Sequence, residues 1–243
     1  MMTKFSILIF ILITNLTFCQ VFKNGLILPD KNKDEKNCCI YVPKNGFKIY
    51  DDKGKLIGTL TRNVKQNKGD QSAYRIYFVS TSSKKEELIE IDNFKEIGYE
   101  VWALTYNQIN GDFVKLDILE KNYWINISET QNAGFKLTNW QKFFSDMTGI
   151  LLGFYPNEPG LNLRNEPDAN SKLIRTLKGD VCQISLTKEN KGLWSKVKVI
   201  VTKENPCGTD LTEEENIIEE IEGWIKIVDD EGKPNLWYYS RGC

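Results

Sequence analysis

Histidine is absent from the 243 residues of this chain. The commonest general acid/base and the commonest metal ligand are therefore both missing, which excludes serine–histidine and cysteine–histidine hydrolases of the usual kinds. The six cysteines form no C-x-x-C pair, so zinc-site spacing is missing too, and no metal or cofactor is expected. Neither sign of charge is in excess. The formal net charge is −1 and basic residues are dispersed, which gives no reason to expect nucleic acid or an anionic membrane as partner. No glycine-rich phosphate loop occurs. Long apolar runs are lacking as well: the run at the start, Phe5–Ile13, is nine residues, against about 20 needed to span a bilayer.

That run has a different reading. Lys4, the short apolar stretch and the small residues Thr17 and Cys19 fit a secretory signal peptide over 1–19, cleaved before Gln20. The competing reading makes Cys19 the lipid-bearing residue of a lipoprotein. On either reading the mature chain is exported, periplasmic or secreted, with no stable membrane insertion after cleavage. Export places Cys38, Cys39, Cys182, Cys207 and Cys243 in a potentially oxidising compartment. The adjacent pair Cys38–Cys39 is unsuited to a mutual bond, because neighbouring Cα atoms lie only about 3.8 Å apart.

What the chain does contain is a repeat. "KLIGTL" (55–60) recurs as "KLIRTL" (172–177), and each follows a glycine with alternating apolar residues, Gly46–Ile49 and Gly160–Leu163. "GDFVKL" (111–116) answers "GLWSKV" (192–197), and "YWINI" (123–127) answers "GWIKI" (223–227). Four landmarks in one order argue for two copies of one unit. Each landmark alternates apolar with polar residues and favours β-branched and aromatic types, so each is read as a strand. "DDKG" (51–54), "NEPDANS" (165–171) and "DDEGKPN" (229–235) supply the turns. The expected fold is all-β with minor α: two tandem small barrels joined by a short helix. The expected boundaries are an N-terminal segment at 20–40, a first copy at 41–130, a helical connector at 131–152 and a second copy at 153–243. Trp140, Phe143 and Phe144 give the connector helical spacing with Thr138 as N-cap. The second copy is expected to fold alone.

The second copy resembles the bacterial Src-homology-3 domain. The resemblance rests on Leu161-Asn162-Leu163-Arg164, Pro167, Lys178-Gly179, Trp194 and Gly223-Trp224, and covers about 160–199 and 223–228. The first copy is similar only through the second, having Lys48 and Tyr50 in place of the Asn-x-Arg signature. The resemblance implies a non-catalytic binding module for a peptide, cell-wall or envelope-protein partner. A structural or assembly protein of the envelope is the alternative, and a carboxylate-dependent hydrolase a weaker one.

Arg164, Glu166 and Asp168 are expected to build a turn rather than a catalytic cluster. Trp194, Trp224, Trp237, Tyr238 and Tyr239 are the candidate ligand-binding residues, since aromatic grooves take extended peptides. Within that set, Trp194 and Trp224 are expected to alternate into the core. At least one of Trp237, Tyr238 and Tyr239 is expected at the surface, because neighbours in a strand face opposite ways. Within the acidic insert 200–222, the stretch "DLTEEENIIEEIEG" (210–223) is read as a short solvated helix with a capping box at Thr212 and Glu215 and with Ile217, Ile218 and Ile221 on one face. Finally, "DDEGKPN" is expected to fold 236–243 back antiparallel to 222–229, bringing Cys243 near Cys207 for a disulfide, with Cys38 and Cys39 as competitors.

Overall fold

Asp51 and Asp229 open two turns of similar sequence, and their side chains close them in the same way. Asp51 Oδ1 accepts the backbone N–H of Lys53 and Lys55 at 3.0 and 2.8 Å. Asp229 Oδ1 accepts those of Glu231 and Lys233 at 2.9 and 2.8 Å. Gly54 and Gly232 sit at φ 78° and 85°, a conformation that costs glycine little.

The computed structural model describes residues 23–30, 40–62, 75–147 and 153–238. It is mostly β, as the alternation predicts. The first sheet holds β1 (Gly25–Pro29), β2 (Phe47–Tyr50), β3 (Leu56–Arg62), β4 (Ile76–Ser80), β5 (Glu86–Ile89), β6 (Phe94–Gly98), β7 (Val101–Asn110), β8 (Phe113–Leu116), β9 (Trp124–Asn126) and β10 (Phe135–Asn139). The second holds β11 (Phe154–Pro156), β12 (Leu161–Arg164), β13 (Leu173–Leu177), β14 (Cys182–Lys191), β15 (Trp194–Thr202), β16 (Ile217–Lys226) and β17 (Leu236–Tyr238). Helices α1 (Ile127–Asn132), α2 (Trp140–Ser145) and α3 (Glu213–Asn216) are all short.

The repeat is visible in the topology. The first sheet runs β10-β1-β7-β8-β9-β2-β3 and the second β17-β11-β14-β15-β16-β12-β13, strand for strand the same path. The first sheet then adds β4 and β5 beyond β3, and β6 on β7. Even the irregularities coincide: β2–β3 slips register between Ile49 and Tyr50, and β12–β13 between Leu163 and Arg164. The duplicated path reaches past the expected limits of the first copy, because β1 precedes residue 41 and β10 follows residue 130.

Each copy buries its inward positions. Ile49, Leu60, Leu104, Leu116 and Ile125 centre the first core, and Leu163, Ile184, Val197, Val199 and Ile225 the second. The second core is not closed by its own strands. Trp140, Phe143 and Phe144 of α2 belong to it, together with Leu26 and Ala103 of the first sheet. Thus β1 and β7 are covered on both faces, with Ile27 and Leu104 in one core and Leu26 and Ala103 in the other. The helix matches its predicted spacing, but Asn139 caps it in place of Thr138, its side chain accepting from Lys142 N at 2.8 Å.

Two expectations are corrected. Only Glu213–Asn216 of the acidic stretch is helical; the capping box of Thr212 and Glu215 is present, but Ile217–Glu222 continue β16. Ile217, Ile218 and Ile221 suit a helical face, yet pairing with β15, from Val199↔Ile221 to Thr202↔Ile217, satisfies the backbone of both strands. Residues 200–202 belong to β15, which leaves 203–216 as the loop. Among the described residues no cluster of three or more cysteine or carboxylate side chains is placed to hold a metal ion. Secondly, β17 does not fold back along 222–229. The bridge Val228↔Pro234 closes the turn before it, but β17 itself pairs with β11, because β15 and β12 already flank β16.

Candidate functional site

The stretch that carries the family resemblance forms a tight turn. Arg164 Nη1 donates to Ser171 O at 2.6 Å, Ser171 Oγ donates to the carbonyls of Glu166 and Asp168, and Asp168 Oδ1 accepts from Asn170 N at 2.7 Å. The Asp168 carboxylate is thus used in the turn, as expected from its chemistry. Leu161 and Leu163 face the core, which turns Arg164 to the other side of the sheet.

On that outer side a row crosses four strands. Leu173 pairs with Arg164, Arg164 with Trp224, and Trp224 with Lys196. In the next row Trp194 pairs with Lys226. Directly paired residues share a face, so two tryptophans and a leucine alternate with three cations. The expectation that Trp194 and Trp224 point inward is therefore corrected: Ser195, Val197 and Ile225 take the inward positions, and both indoles lie half-buried on the outer face. Gly223 makes this possible. A Cβ there would lie 2.6 Å from Arg164 O and 2.9 Å from a methyl of Leu163, so glycine lets β12 approach β16 and sets Arg164 beside Trp224. Lys196 is paired with Glu189 at 3.0 Å and Lys226 with Asp230. The Arg164 guanidinium bonds a neutral carbonyl, and among the described residues no carboxylate forms an ion pair with it.

The corresponding row of the first sheet is Leu56–Tyr50–Trp124–Lys115. There the outer face is tied up. Trp124 is buried, and Tyr50 hydroxyl and Lys48 Nζ both bond the Glu129 carboxylate of α1, at 2.8 and 2.7 Å. The Lys48 hydrogen bond holds that carboxyl below its ordinary range. Of the two equivalent faces, the second is the open one.

Trp237 and Tyr238 do not join it. They alternate as expected, but both are buried, because both sides of β17 are covered. Tyr238 packs on Phe154, while Trp237 lies 5.7 Å from the Trp140 ring and stacks on Phe143 at 6.1 Å. Burial pushes the Tyr238 phenol well up from its usual value. Tyr239 lies outside the described residues, as do residues 1–19, whose sequence is read as a signal peptide, and Cys38, Cys39 and Cys243. Cys207 is disulfide-bonded, whereas Cys182 is a free thiol, buried as its alternation with Ile184 predicts and pushed up to about 11 by that burial.

Sequence reasoning missed a second feature, a cleft of about 580 Å³ between the sheets. It is lined among others by Asp92, Lys95, Tyr106 and Asp117 from the first sheet's side, by Trp140, and by Lys233 of the "DDEGKPN" turn. Burial alone lowers Lys95 from the usual lysine value and raises Tyr106 to about 12. No local motif marks these residues, since the cleft exists only once two distant segments meet.

No family model, curated protein or solved structure matches the chain.

Proposed function

We propose that the protein is an exported, non-catalytic binding module. In this reading two Src-homology-3-like barrels make up the chain, and the second holds an extended peptide, cell-wall or envelope-protein partner on its outer face. The observation that carries the reading is the pair of half-exposed tryptophans, Trp194 and Trp224, set among Arg164, Lys196 and Lys226 on a rigid sheet. Indoles offer a large, stiff contact area with a polar handle. Arg164, with no acidic neighbour in its hydrogen bonding, favours a partner bearing carboxylates. Export rests on the N-terminal segment, and a bridge from Cys207 to Cys243 would tie loop 203–216 to the C-terminus. Such a bridge closes a loop of some 36 residues and contributes on the order of 3–4 kcal/mol.

The assembly reading draws on β13, an edge strand with Leu173 and Ile174 exposed at 46% and 41%, open to strand addition. The hydrolase reading has little to draw on: Asp168 is spent on its turn.

The test is a pull-down with the mature chain against solubilised envelope proteins and, in parallel, sedimentation with insoluble cell wall. Retention should fall about tenfold or more when Trp194 and Trp224 are both changed to Ala, with the near-ultraviolet spectrum of the other aromatics kept. Equal retention by the double variant would refute the outer-face site.

A further inference from the structure

We infer that the cleft between the two sheets is a binding site for a small zwitterion of amino-acid or dipeptide size, with Lys95 as the anchor for its carboxylate. Lys95 is placed by alternation. Phe94 points into the first core, so Lys95, opposite Ala103, points the other way, toward the second sheet. Its ammonium stands 4.0 Å from the centroid of the Trp237 ring. No carboxylate pairs with it among the described residues, and burial is the sole perturbing influence on it. A half-buried ammonium held on an indole face has lost water without gaining a counter-charge. It lines a cleft whose volume, about 580 Å³, falls among those of small-molecule sites. An anionic group entering the cleft would supply the missing partner.

The rest of the lining defines the other end of the ligand. Asp92 and Asp117 contribute carboxylates and Asn24 an amide. Asp117 accepts from Asn107 at 2.8 Å, which orients it. Lys233, the second cation of the cleft, is occupied by Glu231 at 2.8 Å. Lys95 is therefore the cation without a counter-charge among the described residues, while Lys233 also attracts Asp117 and Asp92 carries the remaining negative charge, an arrangement that suits a carboxylate at one end and an ammonium at the other. Trp140 offers an apolar wall between them. This site is separate from the outer face of the second sheet and does not depend on it.

The test uses the mature chain with 13C-labelled lysine and glycylglycine as probe. The Lys95 ε-methylene signal, displaced by the ring current of Trp237, is assigned by its loss in Lys95→Met. It should shift and saturate with half-occupancy on the order of 1–10 mM, and glycylglycinamide, lacking the carboxylate, should bind about tenfold more weakly. Lys95→Arg should keep binding within a few-fold as read from the Trp140 indole signal, while Lys95→Met should lose it. The inference is overturned if the Lys95 signal does not move up to about 100 mM, if the amide binds as well as the acid, or if Arg serves no better than Met. A uniform drift of all lysine signals counts against it equally.

Discussion

Gly223→Ala tests the packing argument most directly, because the change is one methyl group at a named contact. The new Cβ would meet Arg164 O at 2.6 Å, Leu163 Cδ1 at 2.9 Å and Ile174 Cδ1 at 3.0 Å. The two side chains can give, but the carbonyl belongs to β12 and moves only with its strand. Such overpacking costs about 1–3 kcal/mol, offset by about 0.4–1 kcal/mol because alanine restricts the unfolded chain. A net loss of about 1–2 kcal/mol is expected, read as a lower urea midpoint or as a drop of about 2–4 °C in Tm per kcal/mol. Gly208→Ala is the control. Nothing lies within 4 Å of its Cβ position, so it should stay within about 0.5 kcal/mol of the parent. Pushing β12 away also separates Arg164 from Trp224, so partner retention should weaken as well. If Gly223→Ala matches Gly208→Ala in stability, the close approach of the strands is not what the glycine provides.

Further expectations concern other parts of the chain. Asn216 is buried and its side chain clamps loop 203–216 through Glu204 N and Glu204 O, at 2.9 and 3.1 Å, so Asn216→Ala should cost about 2 kcal/mol in chemical denaturation. Cys182 should resist alkylation in the folded protein and react on unfolding. Its raised thiol value makes stability fall as pH rises from the ordinary thiol range toward about 11, and Cys182→Ala should flatten that slope. Glu129, held below its usual range by Lys48, stabilises above the ordinary carboxylate value, and this is lost as pH falls. The stability gap between parent and Glu129→Gln should therefore narrow on acidification; a gap that widens contradicts the pairing. Residues 153–243 alone lack the aromatic cover of α2, so a fragment starting at 135 should unfold at clearly higher urea; equal midpoints would show that α2 is dispensable.

Local chemistry determined much of this architecture. Alternation in "FKIY", "VKVIV" and "WIKIV" marked strands that pair as such, and the "DDKG" and "DDEG" turns follow from aspartate and glycine alone. The duplication was legible because each copy must repeat its inward residues to fill an equivalent core. The capping box at Thr212 was legible too, since a cap involves only four consecutive residues.

Tertiary structure decided the rest, wherever a residue's neighbour comes from far along the chain. Alternation put Trp237 and Tyr238 on opposite faces, but only the docking of α2 and the first sheet made both faces interior. For Trp194 and Trp224 the pattern allowed either face; the smaller Ser195 and Gly223 beside them fill the inward positions, leaving the indoles outside. The isoleucines at 217–221 fit a helix or a strand, and the free edge of β15 chose the strand. Lys95 and Trp237 stand far apart in sequence, and nothing near either anticipates their contact. Propensity and turn chemistry act over a few residues, whereas covering a face and lining a cleft depend on which surfaces the completed fold presses together.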